Sequence, residues 1–182
     1  HGVFVFSLFD YMKKNYDLKG AELYYWFMKQ VTCVDFSENT VAELREMLSI
    51  YFEKEMKLSS FPESFTNVKF QDSLFNKEKS YDLAIGNPPY VRTKNLDPEY
   101  LEQLRKAFKT CEKGNIDIYY AFIERYFKMS NRICFITPNG FLTNMSGKRL
   151  YSLINNNIST LIDFKDKLVF KDARTYTTIF IA

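Results

Sequence analysis

Short apolar runs typical of β-strands alternate along this chain with longer segments in which apolar residues recur every three or four positions. The strand-like runs lie at residues 31–34, 68–70, 81–85, 133–137, 160–164 and 177–182. The helical spacing covers residues 4–12, 21–29, 37–56, 97–110, 116–129 and 147–154. Helices that connect strands are typical of a parallel sheet covered on both faces, so the sequence predicts a doubly wound α/β fold with ligands at the carboxyl ends of its strands. Because no repeat or linker interrupts the pattern, we expect one domain over residues 1–182.

Composition narrows the classes of function. With 46% hydrophobic and 26% charged residues, a chain of 182 residues can bury a sizeable core. The formal net charge of +3 does not by itself indicate a nucleic-acid or membrane partner, so such a site has to be argued from local groups. No apolar run approaches the roughly 18 residues of a membrane span. We therefore expect a soluble protein of the cytoplasm.

Cysteine and histidine are too sparse for metal-site or triad chemistry. Cys33, Cys111 and Cys134 are far apart and have no Cys or His close to them in the sequence, and His1 is the sole histidine. This pattern predicts no disulfide framework, no metal site and no histidine-dependent nucleophile, and it favours a reducing compartment.

The most informative segment is the end of the third strand-like run, which passes through Gly86 directly into Asn87-Pro-Pro-Tyr90. Two prolines have a fixed φ and no N–H, so this turn is stiff before any ligand arrives. The side-chain oxygen of Asn87 and a neighbouring carbonyl would be two acceptors for the two hydrogens of an exocyclic amino group. Tyr90 adds an aromatic face on which a planar ring stacks. For a bare pair of prolines the alternative is an ordinary strand-ending turn.

At these residues the chain resembles the gamma-type N6-adenine DNA methyltransferases of restriction-modification systems, which use S-adenosylmethionine. The likeness consists of seven partial motif matches in the family's order. They lie at residues 1–4 (first motif), 34–36 (second), 71–74 (third), 87–90 (fourth), 117–122 (fifth), 136–142 (sixth) and 169–170 with 175–178 (eighth). The resemblance implies a Rossmann-like methyltransferase sheet and methylation of adenine in double-stranded DNA.

The resemblance also implies a role for individual residues. The catalytic group comprises Asn87, Pro88, Pro89 and Tyr90. Cofactor contacts are implied for Gly2, Phe4, Asp35, Phe36, Asp72, Ser73, Asn87 and Phe122. Contacts with DNA or its flipped adenine are implied for Tyr90, Phe170, Arg92 and Lys94. As alternatives, Asp35 is a surface carboxylate that caps the next helix, Asp72 is a plain loop residue, and any single Phe is an ordinary core residue.

The implied roles have physical reasons. Asp35 at a strand end would accept hydrogen bonds from both ribose hydroxyls of the cofactor, and Asp72 would accept one from its adenine amino group. The amino nitrogen of the target adenine is a poor nucleophile because its lone pair is delocalised into the ring. Two acceptors on its hydrogens would direct that pair toward the methyl carbon, so transfer is an in-line displacement that depends on alignment and needs no metal.

Basic residues follow the Asn-Pro-Pro-Tyr turn at short intervals. They would contact phosphates on either side of a flipped base, which is a nonspecific and salt-sensitive contribution to binding. These residues are Arg92, Lys94, Arg105, Lys106, Lys109 and Lys113.

The chain departs from the family pattern at both ends. Gly2 is the visible glycine of the first motif and His1 takes the place of its small residue. We therefore expect the chain to begin within that motif and to lack the first strand of the sheet. The family's target-recognition domain follows the last motif, so we expect it to be absent from this chain, and we expect residues 1–182 alone to be poorly active.

Three alternative functions stay open. The same turn serves methyltransferases that act on a glutamine side-chain amide of release factors, and RNA adenine methyltransferases differ mainly in their substrate-binding appendages. The third alternative is a noncatalytic nucleic-acid-binding or assembly domain with the same fold.

Overall fold

The computed structural model describes residues 2–61, 65–76, 80–169 and 176–182, apart from the side chains of residues 166 and 168. It divides into two units, His1–Lys77 and Glu78–Ala182. Each unit has its own strands and its own buried side chains. That residues 1–182 form one domain stays a prediction.

The first unit combines three helices with a two-stranded parallel sheet. In chain order the elements are α1 (Val3–Tyr16), α2 (Gly20–Gln30), β1 (Cys33–Asp35), α3 (Glu38–Met56) and β2 (Val68–Phe70). Ser37 caps α3 by accepting a hydrogen bond from the N–H of Thr40. In the sheet Asp35 lies opposite Phe70, so both strands end at the same edge.

Aromatic side chains fill the core of the first unit. Phe9 of α1, Phe27 of α2 and Phe52 of α3 are fully buried. The ring centroids of Phe9 and Phe27 lie 5.1 Å apart in an edge-to-face contact, which the ring quadrupoles favour. Asn67 donates its amide to the carbonyls of Phe27 and Val31 at 3.1 and 2.9 Å. The carbonyl of Phe27 also accepts the N–H of Val31 at 3.1 Å, so Asn67 adds a second hydrogen bond at the end of α2 and a bond to the residue that follows the helix.

The second unit is built on a four-stranded sheet. Its elements are β3 (Tyr81–Gly86), α4 (Pro98–Ala107), α5 (Tyr119–Met129), β4 (Ser130–Pro138), α6 (Gly140–Thr143), α7 (Lys148–Ile154), β5 (Thr160–Leu168) and β6 (Tyr176–Ile181). The strand order is β3-β4-β6-β5. β3 is parallel to β4, whereas β6 is antiparallel to both neighbours. Residues 169–175 are too few for the crossover that a parallel β5–β6 pair would need, so the sheet is mixed.

The predicted α/β alternation is confirmed, whereas the antiparallel direction of β6 departs from the parallel sheet that was predicted. Further differences concern the ends of elements and one additional helix. α4 ends before Phe108, earlier than predicted, because Phe108 is extended at φ −122° and ψ 122°. A 3₁₀ turn, Lys109–Cys111, follows. α5 begins at Tyr119, three residues later than predicted, and the carbonyl of Ile116 instead accepts the N–H of Thr93 at 2.9 Å. β4 and β5 are longer than predicted, and the short helix α6 was not expected.

Within the described ranges, no helix has the length and apolarity needed to cross a membrane. Nor does this part of the chain bring three potential metal ligands of the His, Cys, Asp or Glu type into one group.

A buried carboxylate holds the 3₁₀ turn that follows α4. Glu124 of α5 is 1% exposed. It accepts hydrogen bonds from the N–H groups of Lys109 and Thr110 at 3.2 and 2.7 Å, and from the ammonium of Lys128 at 2.5 Å. Burial by itself raises the pKa of Glu124, but the hydrogen bonds from Lys128, Thr110 and Lys109 outweigh it, so the pKa lies below its ordinary value.

We expect Glu124→Gln to lower the free energy of unfolding of the full-length protein by on the order of 1.5–3 kcal/mol near neutral pH, because hydrogen bonds to a charged group are lost. The folded-state pKa is depressed, so this stabilisation is present above the unfolded value near 4.5 and disappears as the pH falls through the folded value. Urea unfolding of wild type and variant across that range measures the difference.

Glu102→Gln is the matched control, since Glu102 is an exposed carboxylate that pairs with Lys106 one turn along α4. Its removal should change stability little. Equal losses in the two variants, or a Glu124→Gln difference that persists in acid, would contradict the role given to Glu124.

Candidate active site

The predicted catalytic turn lies at the carboxyl edge of the second unit's sheet. β3 and β4 are parallel, with Gly86 opposite Phe135. Residues that follow the two strands therefore meet at one edge, as in other open α/β sheets. Within the turn, Asn87 and Pro89 are exposed, Pro88 is buried and Tyr90 is half-buried.

The hydroxyl of Tyr90 lies between two acceptors at this edge. It is within hydrogen-bonding distance of the Asn87 side-chain oxygen, and it is 3.1 Å from the carbonyl oxygen of Ile136 in β4. Burial raises the pKa of Tyr90 to about 12, so the hydroxyl keeps its proton at neutral pH. A hydroxyl has one hydrogen and can donate to one of these oxygens at a time.

Two buried tyrosines support the ring of Tyr90. The Tyr90 centroid is 6.2 Å from that of Tyr119 at an interplanar angle of 76°, and Tyr119 is in turn 4.7 Å from Tyr120 at 87°. Both supporting residues stand at the start of α5 and are almost fully buried. Both lie within the segment 116–129 that the sequence predicts as a helix, but the sequence analysis gave them no role at the site. The signal that could have identified them is that Tyr119 and Tyr120 are neighbours within the fifth motif match, residues 117–122.

Backbone pairing fixes the exit from the turn. Residues 91–93 pair antiparallel with residues 116–118 through two N–H···O bonds of 2.9 Å each. Arg92 lies opposite Asp117 in this pairing. Burial raises the pKa of Asp117, and the positive charge of Arg92 opposes that rise. Arg92 and Lys94 themselves are exposed, as a contact with phosphates requires.

In the first unit, the predicted ribose-binding carboxylate lies at the end of β1. One oxygen of Asp35 accepts the N–H of Ser37 at 2.8 Å. The helix cap is therefore Ser37 rather than Asp35. Phe36 is 72% exposed, and its ring centroid lies 6.3 Å from that of Phe70 at the end of β2. The edge of this small sheet thus presents a carboxylate beside an uncovered pair of rings.

The third motif match lies at the same edge of the first unit. The N–H of Gln71 donates to the carbonyl of Asp35 at 2.9 Å. One oxygen of Asp72 accepts the N–H of Leu74 at 2.8 Å, and Ser73 is half-buried. Parallel pairing of β1 and β2 therefore places the two predicted cofactor carboxylates on consecutive strand ends.

The first motif match precedes and begins α1. Gly2 has φ +75°, and a Cβ built on it would lie 2.9 Å from the Phe6 ring and 3.0 Å from Leu44. The positive φ therefore favours glycine, and a side chain here would also have to displace the Phe6 ring. Phe4 is 50% exposed on α1, so the structure of the first unit does not bury it in a pocket wall.

The remaining predicted aromatics are not brought into one described pocket. Phe122 belongs to the second unit, where its half-buried ring stacks on Tyr126 with centroids 6.5 Å apart. Phe36 belongs to the first unit. Phe170 lies outside the described residues. The shared adenine pocket predicted for Phe4, Phe36 and Phe122 thus stays a prediction.

Similar proteins include two type II methyltransferases. The chain is 33% identical over 112 residues to M.BanIII of Aneurinibacillus aneurinilyticus, a match covering 59% of this chain and 19% of the relative. It is 32% identical over 107 residues to M.HincII of Haemophilus influenzae, covering 55% of this chain and 21% of the relative. The chain thus spans about a fifth of the length of these relatives.

The fold has a counterpart among solved structures. A structure described as a class I S-adenosylmethionine-dependent methyltransferase from Listeria monocytogenes aligns with a TM-score of 0.58 and 17% identity, over 90% of this chain and 50% of that one. At this identity the likeness concerns the fold alone. The profile of the Eco57I restriction-modification methylases matches residues 31–170, most of the chain, and the chain therefore belongs to the Eco57I restriction-modification methylase family.

Proposed function

We propose that the protein transfers a methyl group from S-adenosylmethionine to the exocyclic amino group of adenine in DNA, as part of a restriction-modification enzyme. The observation that carries the proposal is the turn after β3, where the Asn87 side-chain oxygen already accepts a hydrogen bond at the exposed carboxyl edge of the sheet. Family membership and the methyltransferase names of the relatives support the same reaction class.

Asn87 and the carbonyl of Pro88 are the acceptors that we assign to the target amino group. Asn87 is exposed, whereas Pro88 is buried and fixes the backbone beside it. Holding both amino hydrogens would direct the nitrogen lone pair away from the ring. Because the acceptors are positioned before the substrate arrives, little reorganisation is needed in the transition state.

The target adenine has to leave the duplex, because its amino nitrogen is otherwise enclosed in the base stack. We propose that the flipped base stacks on the ring of Tyr90. Edge contact with buried Tyr119 limits the movement of that ring. Exposed Arg92 and Lys94, directly after the turn, would contact the adjoining phosphates.

The residues at the edge of the first unit fit the nucleoside part of S-adenosylmethionine. Asp35 has one oxygen engaged by Ser37 and a second oxygen with no hydrogen bond among the described residues, as a contact with ribose hydroxyls requires. The exposed rings of Phe36 and Phe70 beside it would be covered by a planar purine. When bound, the cofactor supplies an electrophilic methyl group.

One experiment tests the reaction and its alternatives together. The full-length protein is incubated with S-adenosylmethionine carrying a labelled methyl group and with DNA, RNA or a release factor. We expect label on adenine of double-stranded DNA. Label on RNA or on a glutamine amide would replace the proposed substrate, and no label on any of the three would favour a noncatalytic domain.

Asn87→Ala should lower the single-turnover rate of methyl transfer by on the order of 10²-fold or more, as expected for the loss of a preorganised hydrogen-bonding group. Affinity for S-adenosylmethionine should change little. Asn156→Ala, at an exposed asparagine in the turn after α7, is the matched control and should retain the wild-type rate. An Asn87→Ala rate close to that of the control would remove Asn87 from the chemistry.

At Tyr90 the aromatic face should matter more than the hydroxyl. We expect Tyr90→Phe to bind DNA containing an extrahelical adenine nearly as well as wild type, whereas Tyr90→Ala should lose about 1–3 kcal/mol of stacking. Fluorescence titration with 2-aminopurine at the target position measures both. Equal weakening of the two variants would contradict stacking as the reason for an aromatic residue here.

Asp35→Ala should weaken S-adenosylmethionine binding by about tenfold or more, since a hydrogen bond to a charged group contributes on the order of 1.5–3 kcal/mol. Isothermal titration of the full-length protein measures the affinity. Asp10→Ala removes an exposed carboxylate from α1 of the same unit and should bind like wild type. Unchanged affinity of the Asp35 variant would exclude the assigned ribose contact.

A further inference from the structure

A basic groove lies in the second unit between the end of α4, the following 3₁₀ turn, α5 and α7. Its volume is about 900 Å³. Six cationic side chains and two carboxylates line it. The cations are Arg105, Lys106, Lys109, Lys128, Lys148 and Arg149. Three of them, Lys128, Lys148 and Arg149, were not among the basic residues that the sequence singled out.

Both carboxylates of the groove are already engaged. Glu124 accepts from Lys128 and from the N–H groups of the 3₁₀ turn, as described above. Glu112 forms an ion pair of 2.9 Å with Arg149. Among the described residues, Lys109 and Lys148 therefore have no carboxylate partner. Both are exposed, so the groove presents positive charge that the protein itself does not neutralise.

The groove shares a lining residue with a smaller concavity formed in part by residues that follow the catalytic turn in the sequence. This smaller concavity of about 400 Å³ is lined by Thr93 and Lys94, which closely follow Tyr90, and by Arg105. Arg105 also lines the larger groove, so it connects the two. Cationic side chains thus line both concavities, from Lys94, four residues after Tyr90, to Lys148 and Arg149 of α7.

We propose that this groove holds the phosphodiester backbone of the DNA next to the flipped base. The inference rests on the proposed function and extends it by naming the surface that carries the strand. A row of solvated cations with engaged carboxylates attracts a polyanion and offers little to a neutral or cationic partner. Contacts with phosphates carry no sequence information, so the groove would bind the DNA backbone whatever the target sequence is.

The test compares two double variants of the full-length protein. Lys109→Gln with Lys148→Gln removes the unneutralised groove charges, and Lys14→Gln with Lys29→Gln removes the same charge from exposed positions on α1 and α2 of the other unit. Affinity for a DNA duplex is measured over a range of salt concentrations. We expect the groove variant to bind more weakly and its slope of log K against log salt to become shallower by about 1.8, since each phosphate contact contributes about 0.9.

The control variant should keep the wild-type affinity and slope, and each single groove substitution should reduce the slope by about 0.9. Wild-type affinity and slope in the groove variant would overturn the proposal. An equal change in the groove and control variants would overturn it too, because it would show that the net charge of the protein, and not the groove, determines DNA affinity. Thermal unfolding verifies that all variants are folded. Methyl transfer to DNA by the wild type is assayed separately, so a failure of the proposed reaction is distinguished from a failure of the groove.

Discussion

Parallel pairing of β3 with β4 is the constraint on which the candidate active site depends. It brings Asn87, which follows β3, and the last residues of β4 to one edge of the sheet. There the Ile136 carbonyl comes within hydrogen-bonding reach of the Tyr90 hydroxyl. A shift of one residue in this pairing would turn alternate side chains to the opposite face of the sheet. The rigid Asn-Pro-Pro-Tyr turn is useful only because the strand before it is held in register.

Helix α5 joins the site to the stability of the second unit. Its first residues support the Tyr90 ring, and the segment before it pairs with residues 91–93. One turn further along, Glu124 holds the 3₁₀ turn whose residues border the basic groove. A substitution on the buried face of α5 would therefore affect the turn and the groove together, without contacting a substrate.

Much of this arrangement follows from the sequence because periodicity and short motifs are local signals. The strands, most helices and the position of Asn87 directly after the end of a strand were predicted in this way. The end of α4 at Phe108 and the antiparallel direction of β6 were not, since tertiary pairing and connection length decide them. Tyr119 was missed as a site residue because a buried aromatic at helical spacing looks the same whether or not a functional ring rests on it.

The single hydrogen of the Tyr90 hydroxyl bears on which bases the proposed site would accept. In the free protein the Asn87 oxygen has that hydroxyl as a donor. An incoming amino group replaces the Tyr90 hydroxyl as the donor to the Asn87 oxygen. The number of hydrogen bonds at Asn87 therefore stays the same, and stacking supplies the favourable free energy of binding. A base that presents a carbonyl oxygen in place of the amino group would also displace the Tyr90 hydroxyl, but it has no hydrogen to donate to the Asn87 oxygen. Once the stacked base shields it from water, the Asn87 oxygen would be left without a donor, at a cost of about 1–3 kcal/mol, which discriminates against thymine with no side chain dedicated to rejecting it.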